Sequence, residues 1–185
     1  MTESEQTTAA PAARELLRDG KLAGSWTLDA GRSEIGLKSK SMWGLVPVKG
    51  VFREVAGTGT VSASGEVTGT VTVAAASIDT KNKKRDDHLR SADFFDVGNT
   101  PAITFVAEQV TPSGADVTVT GTLTVAGRTK PASFTARASA PDAARVELDG
   151  ELQVNRADFG LTWNQLGMSS VHNTITVHAV FTRQP

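Results

Sequence analysis

Apolar and polar residues alternate with a period of two along most of the chain after Gly24. Such alternation points one set of side chains towards a core and the other towards water, so each run predicts a half-buried β-strand. Turn sequences, among them residues 113–116 and 126–129, separate the runs. Together they predict an all-β barrel or sandwich. The clearest runs are residues 34–40, 70–75, 117–125, 134–138, 146–154 and 174–181.

Strand length and glycine placement favour a barrel over a sandwich. The longest runs cover about nine residues, and long, bent strands are typical of barrels tall enough to enclose a ligand. Glycines inside a strand predict bends or bulges, which a closing barrel requires. The glycines placed in this way are Gly36, Gly59, Gly69, Gly121 and Gly150.

The N-terminal region lacks this alternation of apolar and polar residues. Residues 1–11 are small and polar and end in proline, which predicts disorder. A short helix over residues 12–18 would place Leu16 and Leu17 as its apolar anchors, and Gly20 would end it. We therefore expect residues 1–20 to form a disordered or partly helical tail, which either folds over one end of the domain or has no role. Residues 21–185 form one domain.

One internal segment, residues 77–96, is densely charged, then apolar, and shows no alternation. It predicts a loop with a short helix over residues 83–91. Connections of this length in a compact domain are uncommon and usually functional. We expect the 81–96 connection, with its short helix, to form a lid at a barrel mouth.

Composition excludes several classes of function. A net charge of −1 and a pI near 6.3 disfavour a nucleic-acid partner, because phosphate binding requires a basic surface. With no cysteine in its 185 residues, the chain has no disulfide, thiolate metal ligand or thiol nucleophile. The first 20 residues carry acidic side chains early and no apolar stretch, which predicts no signal peptide and a cytoplasmic location.

Seven short blocks in a fixed order carry a resemblance to a known family. They are residues 26–29, 48–52, 76–80, 87–96 (Asp-His-Leu-Arg-Ser-Ala-Asp-Phe-Phe-Asp), 101–105, 119–127 and 155–160 (Asn-Arg-Ala-Asp-Phe-Gly). In these blocks the chain resembles the YceI-like, polyisoprenoid-binding domain family. The resemblance implies a single eight-stranded antiparallel β-barrel, lipocalin-like in shape, whose apolar tunnel binds an isoprenoid or another long acyl chain. It also implies a possible homodimer, since dimers occur in the family. The chain departs from the family at residues 40–47, where many members carry a histidine.

Large apolar residues are the candidates for contact with a bound lipid, although each could equally fill an ordinary core. His88 and Arg90 are candidates for the polar head of the lipid, because they lie in the strongest family block, although a solvated helix face explains them too. Arg156 and Asp158 are expected to pair structurally. The candidate ligand-binding residues are Trp43, Leu45, Phe52, Ile78, His88, Leu89, Arg90, Phe94, Phe95, Phe105, Phe134, Phe159, Trp163 and Met168.

The apolar stretch of residues 42–47 contains a proline and does not alternate. Two interpretations are open for it. It forms an exposed hairpin tip that touches a membrane transiently while cargo is loaded, or a buried loop that plugs the barrel end.

Catalysis finds little support in the sequence. The three histidines, His88, His172 and His178, do not show the i, i+4 spacing that places two metal ligands on one helix face. Asp86, Asp87 and His88 are adjacent, and neighbouring residues on a helix point in different directions. We therefore predict neither a catalytic residue nor a metal site.

The function predicted from the sequence is non-enzymatic carriage or sequestration of a long apolar lipid, of polyisoprenoid, quinone or fatty-acyl type. No cofactor besides this ligand is expected. A ligand-free β-domain that acts through protein association or stress protection is the main alternative, and a lipid-modifying enzyme is a third.

Overall fold

In the computed structural model of the protein, residues 13–164 and 169–185 are described. The predicted disorder of residues 1–11 lies outside them. The helices are α1 (Ala13–Arg18) and α2 (Lys83–Arg90), with 3-10 turns at Ala75–Ser77 and Arg156–Phe159. The strands are β1 (Gly24–Leu28), β2 (Glu34–Ser41), β3 (Val46–Phe52), β4 (Val55–Val61), β5 (Val67–Ala74), β6 (Ile78–Asp79), β7 (Ala102–Ser113), β8 (Asp116–Val125), β9 (Arg128–Asp142), β10 (Arg145–Asn155) and β11 (His172–Arg183).

Eight of these strands close a ring by antiparallel pairing, in the order β1-β4-β5-β7-β8-β9-β10-β11 and back to β1. The closing contact joins Trp26 to Arg183 and Leu28 to Phe181. The strands β2, β3 and β6 extend this wall from the other half of β11, where Ile175 faces Leu37. The structure confirms the predicted eight-stranded antiparallel barrel.

A bulge bends the barrel wall where β7 pairs with β8. The register shifts between Ala107 and Gln109, opposite Gly121. A Cβ atom at Gly121 would lie 1.8 Å from the carbonyl oxygen of Val106, so only glycine lets the two backbones approach this closely. The strand glycine therefore marks a bend, as the sequence predicts.

The long connection after β6 carries α2, which confirms the predicted short helix in residues 81–96. Asn82 caps α2, since its Oδ1 accepts a hydrogen bond from the Arg85 backbone N–H at 3.0 Å. The buried Asp86 carboxylate accepts hydrogen bonds from both the backbone N–H and the hydroxyl of Thr80, which fixes the helix against β6.

The other end of the barrel is covered by α1 and the turn that follows it. Leu16, Leu17 and Leu22 are buried there against Trp26. The Trp26 indole N–H donates to the Leu22 carbonyl oxygen at 2.9 Å. The described part of the N-terminal segment thus packs on the barrel and closes this end, which we call the closed end.

Candidate functional site

The inward positions of the barrel strands surround a cavity of about 730 Å³. They alternate along each strand as the sequence pattern predicts, for example Leu152 and Val154 on β10, and Ile175 and Val177 on β11. A cavity of this size falls within the usual range for small-molecule sites, about 300–1,000 Å³.

Several wall residues point into the barrel without being fully covered by protein. Leu37, Phe105 and Ile175 pack against the apolar core, yet each is only partly buried. Because all three line the cavity, the surface they leave uncovered faces its interior. The side chains of the barrel therefore do not fill its middle.

Polar residues gather at one end of the cavity, which we call the open end. They come from four segments: the end of β2, the start of α2, the stretch after β10 and the start of β11. Among them are Lys40, Lys84, Arg85, Arg156 and Asn173. The site thus combines a deep apolar part with a polar, cationic rim.

His88 stands at this rim within a small aromatic cluster. Its ring lies edge-on to Trp163, with centroids 4.3 Å apart, and edge-on to Phe94 at 5.1 Å. Its Nε2 lies 3.0 Å from a carboxylate oxygen of Asp93, at hydrogen-bond distance. These contacts fix the imidazole beside the cavity.

Arg156 is the most buried cation of the rim, with 7% of its surface exposed. Its Nε donates to the Ser170 carbonyl oxygen at 3.0 Å, and one terminal nitrogen donates to the carbonyl oxygens of Leu161 and Trp163 at 3.0 and 2.7 Å. Burial lowers the pKa of the Arg156 guanidinium from its usual value, since desolvation disfavours the charged form. The expected ion pair with Asp158 is wrong, because these carbonyl groups take the guanidinium donors instead.

Arg90 acts on the fold and does not line the cavity. Its Nε donates to the Ala76 carbonyl oxygen at 2.8 Å, and a terminal nitrogen donates to the Ile78 carbonyl oxygen at 3.0 Å. A terminal nitrogen of Arg90 also lies 3.3 Å from a carboxylate oxygen of Asp87. The hydrogen bond from Lys83, followed by the charges of Lys83 and Arg90, lowers the pKa of the Asp87 carboxyl. Arg90 thereby ties α2 to the segment before it.

The structure brings most of the predicted site residues together. The nine that line the cavity are Phe52, His88, Leu89, Phe94, Phe95, Phe105, Phe134, Phe159 and Trp163. Ile78 is fully buried in the wall and, like Arg90, is not part of the lining. Met168 lies outside the described residues.

Trp43 and Leu45 are placed away from the cavity, in the turn between β2 and β3. Trp43 is 64% exposed and Leu45 is 81% exposed. Of the two interpretations of residues 42–47, the structure has the exposed hairpin tip. The buried plug is wrong because nothing in the described part of the chain covers these side chains.

Sequence reasoning missed Arg156 and Asn173 as rim residues, and it missed most aliphatic lining positions. The alternation of apolar and polar residues does mark the aliphatic residues, since they occupy the inward-facing positions of the predicted strands. Arg156 gives a weaker signal, because it lies in a family block and follows the last inward residue of β10. Its backbone partners leave no trace in the sequence.

Two features are absent from the described residues. No helix among them is long and apolar enough to span a bilayer. Within residues 13–164 and 169–185, no three His, Asp or Glu side chains are grouped so that they could hold a metal ion.

Comparison with known sequences gives one family. The family model of the YceI-like domain matches residues 26–182. A UPF0312 protein of Pseudomonas paraeruginosa is 35% identical over 96 residues, which are 49% of this chain and 50% of the relative. The protein YceI of Salmonella arizonae is 34% identical over 105 residues, 54% of each chain. The aligned part thus spans about half the length of these relatives.

Solved structures share the fold over most of the chain. BcnA of Burkholderia cenocepacia superimposes with a TM-score of 0.76 at 25% identity, covering 83% of this chain and 98% of that one. A polyisoprenoid binding domain from Saccharophagus degradans gives 0.69 at 17% identity, over 86% and 98% of the chains. A YceI protein of Campylobacter jejuni gives 0.66 at 25% identity, over 75% and 86%.

Proposed function

The chain belongs to the YceI-like domain family, and from this premise we propose that it binds a long apolar lipid in its barrel interior. The observation that carries the proposal is the unfilled apolar cavity of about 730 Å³ behind a cationic rim. An empty apolar space of this size costs stability, whereas an apolar ligand placed there removes the cost. The polyisoprenoid binding domain of Saccharophagus degradans, which has the same fold, adds support.

Burial of the lipid tail provides the driving force for binding. At about 25 cal/mol per Å² of apolar surface, ~400 Å² of tail contributes on the order of 10 kcal/mol before costs. Losses of translational, rotational and side-chain freedom offset part of this. The remainder supports tight binding without any strong polar contact. The nine predicted residues that line the cavity are the proposed ligand contacts.

The rim favours a ligand whose head carries acceptor oxygens. Arg156, Lys40 and Lys84 line it, and no carboxylate of the described residues lines the cavity beside them. Backbone carbonyl groups take the Arg156 donors, so Lys40 and Lys84 are the rim donors for a carbonyl, carboxylate or phosphate oxygen. A quinone, a prenyl phosphate or a fatty-acyl amide has such an oxygen at one end and an apolar chain at the other. We propose that the ligand comes from this group.

We propose binding rather than catalysis. General acid–base chemistry needs a titratable pair within reach of the substrate. Among the described residues, the cavity lining offers cations and one imidazole, that of His88, whose carboxylate partner Asp93 does not line the cavity. Association through a strand edge stays the alternative: pairing of β1 with β11 closes the ring of eight strands, and residues 46–50 of β3 form the edge of the extension. Carriage between sites, the cytoplasmic location and the homodimer stay predictions.

Organic extraction of the natively purified protein, followed by mass spectrometry of the extract, tests the proposal. We expect a lipid near one equivalent, or uptake from an added mixture of a long-chain prenol, an isoprenoid quinone and a fatty-acid amide. Val154→Trp places a large side chain inside the cavity and should reduce the bound lipid several-fold. Gln153→Trp, one residue away on the exposed outer face of β10, is the matched control and should leave it unchanged.

Two results would contradict lipid binding. A clean extract together with no uptake from the added mixture would mean that the barrel stays empty or closes on itself. Equal lipid content in Val154→Trp and Gln153→Trp, with both variants folded by circular dichroism, would mean that the lipid is bound elsewhere.

A further inference from the structure

The turn between β2 and β3 presents an apolar tip to solvent at the open end. Of its side chains, Met42 is 43% exposed, Trp43 64%, Leu45 81% and Val46 45%. The exposed Val171 lies at the same end, because its neighbour Ser170 donates from its backbone N–H to the Lys40 carbonyl oxygen at 2.9 Å. Contiguous exposed apolar surface of this kind marks an interaction site.

The backbone of this tip is one that its residues disfavour. Met42 and Trp43 both have positive φ, at 51° and 54°, and the Gly44 N–H closes the turn on the Ser41 carbonyl oxygen at 3.2 Å. Hairpin turns with two left-handed central residues prefer Asn-Gly. An Asn-Gly pair at positions 42 and 43 would adopt this turn at a lower cost in backbone strain. The large apolar residues at these positions therefore point to a role outside folding.

The surface around the tip is cationic. Residues 35–53 contain Lys38, Lys40, Lys49 and Arg53 and no acidic residue. Lys38 stands directly opposite Lys49 across the β2–β3 ladder, an arrangement of like charges that weakens a sheet. Exposed Lys84 lies across the rim from Lys40. An apolar tip flanked by lysines on β2 and β3 complements a bilayer that carries anionic lipids.

Neighbouring carboxylates neutralise only part of this surface. Lys38 pairs with Glu151 at 3.0 Å, and Arg53 pairs with Asp79 at 2.9 Å. Asp86 is buried on Thr80. Asp87 is paired with Lys83 at 2.6 Å, and Asp93 lies against His88. In the described part of the chain, Lys40, Lys49 and Lys84 form no ion pair, which leaves their charges available to a lipid headgroup.

We propose that the open end of the barrel docks on an anionic membrane surface, with Trp43 and Leu45 inserted at the headgroup boundary. Ser39, Lys40 and Ser41, which lead into the tip, also line the cavity. Docking by the tip therefore brings the cavity mouth to the bilayer, where a long lipid enters or leaves with little exposure of its tail to water. The purpose of docking rests on the proposed lipid binding, but the surface can be tested apart from it.

Vesicle sedimentation tests the docking surface, with phosphatidylcholine vesicles compared with vesicles that also contain phosphatidylglycerol. We expect binding to the anionic vesicles, weaker binding to the neutral ones, and a decrease with added salt. Leu45→Asp should weaken binding at least about tenfold, because insertion then requires a charge to leave water. Lys40→Gln and Lys84→Gln should each weaken binding to the anionic vesicles about fivefold.

Two further variants sharpen the experiment. Val106→Asp changes an exposed valine on the outer wall of β7 and is the matched control, expected to bind as the unaltered protein does. Tryptophan emission should shift to shorter wavelength when vesicles are added, and Trp43→Leu should remove most of that shift while it retains binding, because the indole at the tip is then missing.

The outcomes separate this proposal from lipid binding. Bound lipid in the organic extract without vesicle binding would overturn docking and leave lipid binding in place. Vesicle binding with no lipid in the extract would leave docking in place and overturn lipid binding. If Leu45→Asp binds vesicles as well as Val106→Asp does, the tip is not the docking surface. If the protein ignores vesicles but self-associates, and Leu45→Asp abolishes the association, the tip is an interface between two copies of the chain.

Discussion

The two ends of the barrel are built from the same strands but treat their apolar residues in opposite ways. At the closed end, Leu16, Leu17 and Leu22 lie buried against Trp26. At the open end, Trp43 and Leu45 stand in water, and the cavity behind them is not filled by side chains. One end therefore stabilises the fold, and the other leaves apolar surface available for binding.

This contrast explains how a barrel can hold a cavity and remain folded. A ring of eight strands needs something in its middle, either its own side chains or a ligand. Here a second buried cluster packs against Phe105 and Phe134 of the cavity lining, and α1 packs separately at the closed end. The cluster consists of Val117, Val119 and Ala136. Burial at the closed end offsets the packing contacts that are missing around the cavity. The fold therefore does not depend on a core that fills the whole barrel.

The largest expected effect contrasts two leucines. Leu22→Ala removes a side chain that is 2% exposed and should cost about 2–5 kcal/mol of unfolding free energy, because a cavity remains. Leu45→Ala removes one that is 81% exposed and should change stability by less than about 0.5 kcal/mol. Thermal unfolding followed by circular dichroism measures both. Equal shifts in Tm would contradict the distinction between the two ends.

The same contrast applies to two cations of the rim. Arg156→Met leaves the carbonyl groups of Leu161, Trp163 and Ser170 without their donor and should cost about 1–3 kcal/mol. Lys84→Met changes an exposed cation without an ion pair in the described part of the chain, and its effect should stay within about 0.5 kcal/mol. Urea unfolding compares the two. If Arg156→Met is as stable as Lys84→Met, the guanidinium does not organise the stretch after β10.

Sequence alone predicts the fold well where the apolar period is clear. Residues 117–125 and 146–154 correspond to β8 and β10 within one residue at each end. By contrast, β4 reads Val-Ala-Gly-Thr-Gly-Thr-Val, and its small residues hide the period although its burial alternates. In β3 the alternation begins inside an apolar run that contains Pro47, so its first residues look like a loop.

The candidate site was predictable in its apolar part and, apart from His88, not at its rim. Phe134 begins a predicted strand and Phe105 ends a family block, and their rings meet at 5.6 Å in the barrel. The environment of Arg156 depends on backbone carbonyls brought together by the stretch after β10, which no spacing of residue types encodes. The exposure of Trp43 and Leu45 likewise depends on whether distant segments of the chain pack against the β2–β3 turn, which the local sequence does not show.

The smallest expected effect distinguishes the ends by their response to pH. On β6, the Asp79 carboxylate accepts hydrogen bonds from the Lys81 backbone N–H at 2.9 Å and from the Arg53 guanidinium at 2.9 Å. These bonds, with the backbone bond as the largest cause, hold the pKa of the Asp79 carboxyl well below its usual range. The charged form is thus favoured more in the folded protein than in the unfolded chain.

A lowered folded pKa contributes stability above the unfolded value of about 3.9, and this contribution disappears as pH falls through the folded value. Asp79→Asn should therefore lower Tm slightly at pH 7, and the difference from the unaltered protein should shrink from about pH 4 downward. Leu22→Ala should show a loss of Tm that hardly depends on pH, because no titratable group is changed. If the Asp79→Asn difference were as large at pH 2 as at pH 7, the carboxylate charge would not be what secures β6 at the open end.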